Sequence, residues 1–305
     1  MTVNKPLYGI AGAGTHWWAT YPGHHKKKLQ METSSFDPCL LVSSAESHDF
    51  GIVGNLTTSA PVTFNGGTLS LTGENTLILR QKGQGNKLAL VPINGPDAKQ
   101  KYVEQRARGA YSASICQPEA CFNLSSAAHH QDPSSDDIKN LNRRLQWQMD
   151  HPDRGFTFIS VALPTAKLFV FVDGFFANNV DFTSQLRFVI VLANEKRVDD
   201  DTFTIAGNIV HFPSTKPKRV MRSVLASEVY GLLAGLGTTK EKRLMINIMA
   251  LRQSYERREL HEVRWINGSD NPADTFTKAS PNQALEGLIS GNKIGIRMEG
   301  WVTRR

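Results

Sequence analysis

The spacing of apolar and polar residues changes character twice along the chain. Over residues 1–96 short apolar runs are cut repeatedly by glycine, which leaves only brief segments able to pair as strands. Phe36–Ser43 and Thr76–Arg80 are predicted strands, and Thr68–Leu71 is another ahead of a turn at Gly73-Glu74-Asn75. From 97 to 155 the spacing becomes helical. Asp97 is predicted to cap a helix through Ala110, and Ser114–Ala128 places small and apolar residues at helix-compatible intervals. Ser134-Ser135-Asp136-Asp137 is an N-cap cluster before Ile138, Leu141, Leu145 and Met149, which share one face at spacings of three and four. Pro152 and Gly155 resist continuation, so this helix is predicted to stop in Asp150–Gly155.

The last 150 residues are the most legible. Lys167–Asp173 is a near-continuous apolar strand ending in a carboxylate, and Leu186–Leu192 and Gly207–Phe212 read as two more, joined through the acidic turn Asp199-Asp200-Asp201. Arg222–Ala234 and Arg243–Arg257 are predicted helices, His261–Ile266 a strand and Pro281–Ser290 a final helix. The order β-β-β-α-α-β-α predicts an α/β or α+β domain with a mixed sheet.

Composition narrows the class. At 40% hydrophobic and 21% charged, the 305 residues are globular in character and wholesale disorder is excluded. Three cysteines without a C-x-x-C pair support neither a disulfide framework nor zinc, and Cys116 and Cys121 are expected to pack as small apolar residues. The longest apolar stretches are too short to span a bilayer and no secretory leader is read. The expectation is therefore an intracellular protein, in cytoplasm or nucleus, without a membrane partner.

Net charge is +7, with +2 carried by residues 1–150 and +5 by residues 151–305, a balance that favours polyanionic partners without forming a basic tail. His24-His25-Lys26-Lys27-Lys28 reads either as a phosphate contact or as a solvated loop, and Trp17-Trp18 as a base-stacking or a buried pair. Gly9, Gly12 and Gly14 lack a preceding strand, and His24-His25 and His129-His130 lack partners at ligand spacing, so neither a dinucleotide loop nor a metal site follows.

Three carboxylates stand beside apolar runs on separate elements: Asp173, Glu228 and Asp274. An acid ending a buried strand is costly unless paired or bound to a cation. Carboxylate oxygens converging from separate elements are what a Mg²⁺-dependent phosphoryl-transfer site needs, whereas singly each acid reads as a cap or a surface group.

Lys5-Pro6-Leu7-Tyr8-Gly9-Ile10 resembles a block of the reverse transcriptases of copia-type LTR retrotransposons, and Phe36-Asp37-Pro38-Cys39-Leu40 resembles the strand before their catalytic hairpin. Phe64–Lys82 is similar, more loosely, to the segment that follows. Phe171-Val172-Asp173-Gly174, Ser227-Glu228-Val229-Tyr230 and Asn271–Lys278 resemble three carboxylate motifs of the family's ribonuclease H domain, in the family's order. The resemblance implies a polymerase palm and thumb remnant over 1–96, a helical connection over 97–155 and a ribonuclease H-like domain over 156–305. It also implies Mg²⁺ on Asp173, Glu228 and Asp274, an RNA–DNA hybrid or other nucleic acid as partner, and Lys240, Lys242 and Arg243 near its phosphates, with the charge cluster Lys26, Lys27 and Lys28 as a separate candidate phosphate contact.

Departures from the family bear equally on function. No aspartate pair lies between Gly51 and Phe64, where the family carries its polymerase hairpin, so polymerisation is not expected. Glu228–Gly235 abuts Leu236–Lys240, where the family inserts a strand bearing a further carboxylate. A deletion near 235–237 is implied, leaving an incomplete sheet. Residual cleavage of the RNA strand at most is expected, the alternative being an inactive nucleic-acid-binding or interaction protein. One further expectation follows: His261–Ile266 moves inward to lie parallel beside Lys167–Val172, covering its edge.

Overall fold

The computed structural model describes residues 31–33, 41–43, 61–64, 66–72, 76–175, 185–215, 253–277 and 282–302, and the chain divides into two compact units, Met1–Asn55 and Leu56–Arg305. In the first unit β1 (Met31–Thr33) and β2 (Leu41–Ser43) pair antiparallel, the latter inside the expected strand Phe36–Ser43.

The second unit opens with an antiparallel four-stranded sheet of β3 (Val62–Phe64), β4 (Gly67–Leu71), β5 (Leu77–Gln81) and β6 (Gly155–Phe158), in that order. β4 and β5 match the sequence pattern. β6 was not predicted; its buried Phe156 is placed by pairing with Leu79, a partner local pattern cannot reveal. The expected divisions at 96/97 and 155/156 both fall inside this unit.

Three helices separate β5 from β6. α1 (Ala98–Cys116) runs past the expected end at Ala110, and Asp97 caps it without a side-chain hydrogen bond. The expected helix over Ser114–Ala128 is interrupted at Gln117-Pro118, since proline brings no N–H to the ladder, and resumes as α2 (Cys121–Ala127). α3 (Ser135–Asp150) starts as predicted. Its capping box joins Ser134 and Asp137 reciprocally, and Ile138, Leu141 and Leu145 pack on Tyr102, Ala113 and Leu124. Each such buried side chain contributes roughly 1.5–3 kcal/mol of transfer free energy. Among the described residues no helix is long and apolar enough to cross a membrane.

The larger sheet contains β7 (Ala166–Phe175), β8 (Gln185–Arg197), β9 (Thr202–His211), β10 (Ser214–Thr215), β11 (Arg264–Ile266) and β12 (Lys293–Trp301). β8 pairs with β7 along one edge and with β9 and β10 along the other; β12 follows β9, and β11 follows β12. α4 (Gln283–Gly291) lays Ala284, Leu285, Leu288 and Ile289 against Phe171, Val189, Val191, Phe203 and Ile205 of this sheet.

Two expectations are corrected here. Every pairing among the described residues is antiparallel, not mixed. And β11 lies at the far side of the sheet from β7, antiparallel to β12, rather than parallel beside it. The cause is β12, which the sequence reading left unassigned. Its alternation buries Ile294 and Ile296 while Lys293, Gly295 and Arg297 face outward. Asn292, in the left-handed conformation at φ 52°, turns the chain out of α4 and into this strand. β12 then occupies the edge of β9 and offers its own far edge to β11. The expected helix Arg222–Ala234 lies outside the described residues, as does most of Arg243–Arg257, of which 253–256 are helical.

Candidate functional site

β7 forms because Leu168–Val172 alternates faces while remaining apolar on both, and ten residues pair continuously with β8. That ladder fixes Asp173 near the end of the strand, half-buried and in register with Arg187 of β8. Val172, one residue earlier, is the contact point for a distant segment. The Nδ2 of Asn271 donates to the Val172 carbonyl at 2.8 Å across 99 residues of sequence.

Asn271 opens a short 3-10 helix, Pro272–Thr277, which packs on β7 and β8 and carries Asp274. Local sequence explains the turn. The Asn271 Oδ1 accepts from the Ala273 N–H at 3.0 Å and the Asn271 carbonyl accepts from the Asp274 N–H at 3.1 Å, an asparagine turn stiffened by Pro272. Ala273 and Thr275 are buried to 0% and 2% exposure, so the turn is anchored on both sides of Asp274. From the other side Asn282, the N-cap of α4, donates through Nδ2 to the Asn271 carbonyl at 2.7 Å and accepts at Oδ1 from the Leu285 N–H at 2.9 Å. Thr275 Oγ1 donates to the same Oδ1 at 2.7 Å.

Two of the three predicted carboxylates therefore stand on elements that touch, Asp173 on β7 and Asp274 on the 3-10 helix. Glu228 lies outside the described residues, and so do Lys26, Lys27, Lys28, Lys240, Lys242 and Arg243. Among the described residues no three His, Cys, Asp or Glu gather as a metal-holding group. Two carboxylates are nonetheless the hard oxygen donors that Mg²⁺ takes, so the donor chemistry suits the ion. Asn271, Thr275 and Asn282 escaped the sequence reading. Asn271 and Thr275 belong to the Asn271–Lys278 block, but nothing local pairs Asn271 with Val172.

Other charged groups of this unit form pairs of their own. Asp270 accepts from the Arg297 guanidinium at 2.8 and 2.9 Å, and those hydrogen bonds hold its carboxyl below the usual carboxylate range. Glu195 is half-buried, which by itself raises its pKa, but hydrogen bonds from Arg264 and Lys167 hold it below the ordinary value. His130 meets Asp137 at 3.5 Å as part of the start of α3 rather than a metal cluster. Cys116 is fully buried, and neither it nor Cys121 forms a disulfide among the described residues.

Compared with known proteins, the chain matches no family model, no curated protein and no solved structure.

Proposed function

We propose that this chain is a polymerase-dead remnant of a copia-type polyprotein whose C-terminal half binds nucleic acid and retains the frame of a ribonuclease H-like centre. The observation that carries this reading is the docking of Asn271 on Val172, which sets the Asp274 turn against the strand end bearing Asp173. The resemblance puts carboxylate motifs at those two points of the sequence, and such a centre needs them in contact. Asp173 and Asp274, with Glu228, would hold Mg²⁺, which supplies Lewis-acid stabilisation of charge developing on a phosphate. The protein's own part is to fix the two carboxylates on rigid elements and to keep apolar packing behind them.

The weaker member of the proposal is catalysis. With three carboxylates against the two ions of a two-metal site, one positive charge stays uncompensated and fewer oxygens complete each coordination shell. Ions held with incomplete charge compensation bind weakly, which favours a nucleic-acid-binding protein over an efficient nuclease.

Gel retardation with an RNA–DNA hybrid, in stepped salt and with Mg²⁺ or Mn²⁺ present, tests both parts. The expected result is retardation that weakens steeply with salt, with trace cleavage at most that disappears in Asp173→Asn. No retardation at low salt would sink the binding reading. Efficient cleavage that survives Asp173→Asn would sink the site.

A further inference from the structure

We propose that Asn271 and Asn282 are positioning residues, a two-amide relay that sets the spacing between Asp173 and Asp274; this rests on reading those acids as metal ligands. The relay is continuous. It runs from the Val172 carbonyl to the Asn271 Nδ2 at 2.8 Å, from the Asn271 carbonyl to the Asn282 Nδ2 at 2.7 Å, and from the Asn282 Oδ1 to the first turn of α4 at the Leu285 N–H, 2.9 Å. One end is a strand edge and the other a helix start, so two elements of the core are tied through the turn that bears Asp274. Asp173 is the residue next to Val172, and Asp274 is flanked by the buried Ala273 and Thr275.

Both positions demand an amide rather than any polar group. Asn271 must accept from the Ala273 N–H and donate to the Val172 carbonyl; Asn282 must accept from the Leu285 N–H and donate to the Asn271 carbonyl. Rotating either amide would oppose two oxygens, so each has one orientation. A carboxylate in the same shape can accept but cannot donate. Aspartate is also as good an N-cap as asparagine. Asn282→Asp therefore keeps the oxygen that caps α4 and turns the tie to Asn271 into an opposition of two oxygens, which acts on the Asp274 turn while leaving the start of α4 intact.

Spacing matters because a displacement of about 1 Å at such a centre costs roughly 100-fold in rate, and a ligand pair loses affinity by the same geometric route. The test reads Mn²⁺ affinity by electron paramagnetic resonance, alongside the melting temperature, for the unaltered chain, Asn282→Asp, Asn271→Ala and Asp173→Asn. Asn282→Asp is expected to melt cooperatively, a few degrees at most below the unaltered chain and fully folded at the assay temperature, yet bind Mn²⁺ about 10-fold more weakly. The sign is diagnostic, since an added negative charge by itself strengthens cation binding. Asn271→Ala is expected to weaken Mn²⁺ at least as much. Unchanged or tighter binding in Asn282→Asp, with Asp173→Asn still abolishing it, would overturn the relay and leave the site standing. Mn²⁺ binding that is absent from the unaltered chain, or indifferent to Asp173→Asn, removes the site and the relay together.

Discussion

Replacing Arg154 by alanine is expected to lower the unfolding free energy by about 3–5 kcal/mol, the cost of stranding a buried charge. Arg154 ends the connection between α3 and β6. Its Nε donates to Glu119 at 2.7 Å, one terminal nitrogen to Glu286 at 2.6 Å and the other to Ser290 at 3.3 Å. One guanidinium therefore ties the helical segment to α4. Glu119 has a side chain only 1% exposed, and its Oε2 has no hydrogen-bond partner among the described residues. Burial pushes the Glu119 carboxyl above the usual range, with Arg154 opposing that rise. Without Arg154 the rise is unopposed.

The pH dependence of the variant follows with its sign. A carboxyl whose folded pKa exceeds its unfolded value adds stability below the unfolded pKa and loses it as pH rises through the folded one. The deficit of Arg154→Ala should thus be largest at neutral pH and shrink on acidification toward the ordinary carboxylate range. Urea denaturation across that range reads it directly. Adding Glu119→Gln should recover most of the loss at neutral pH, because no ionised group is then left buried. A double variant as unstable as Arg154→Ala would show that packing, not charge, was lost.

Gly207→Ala is expected to cost about 3 kcal/mol or more, at the upper end of overpacking effects. Gly207 is buried in β9, in register with Ala193 of β8. A Cβ there would lie 2.1 Å from the Leu192 carbonyl oxygen and 2.4 Å from the Ala193 Cα, both backbone atoms of a paired strand. No side chain can swing away, so the β8–β9 ladder itself must open. Gly207 also donates its N–H to the Asn292 carbonyl at 2.9 Å, at the turn into β12, so the disturbance spreads to the strand on the other side. Gly295→Ala in β12 is the control. Its Cβ would meet only Thr204 Cγ2 at 4.0 Å, and a change within about 0.5 kcal/mol is expected. Comparable losses at the two glycines in urea denaturation would contradict the close approach of β8 and β9.

These contrasts show which parts of the architecture local sequence can specify. α3 was readable because its capping box and its apolar face are short-range patterns, satisfied within the helix. β7 was readable because a continuous apolar run has few alternatives. β12 carries an equally clear alternation, but Gly295 and the charged residues around its isoleucines break up the apolar run that marks a strand, and it drew no assignment. The second halves of β8 and the first half of β9 were missed for the same reason, since Asn194–Arg197 and Thr202–Ala206 mix polar and apolar residues. Strand order was not readable at all. Whether β11 sits beside β7 or β12 depends on which edge remains available after β12 has paired, a property of the whole sheet. The candidate site divides likewise. Its carboxylates were visible as chemistry, whereas the asparagines that hold one of them in place act through partners up to 99 residues away.

Titrating Mg²⁺ calorimetrically into the unaltered chain, Asp173→Asn and Asp274→Asn tests most directly whether the two acids form one centre. The account predicts a single weak site that either substitution abolishes. Two tight sites, or heats of binding unchanged by either substitution, would contradict it.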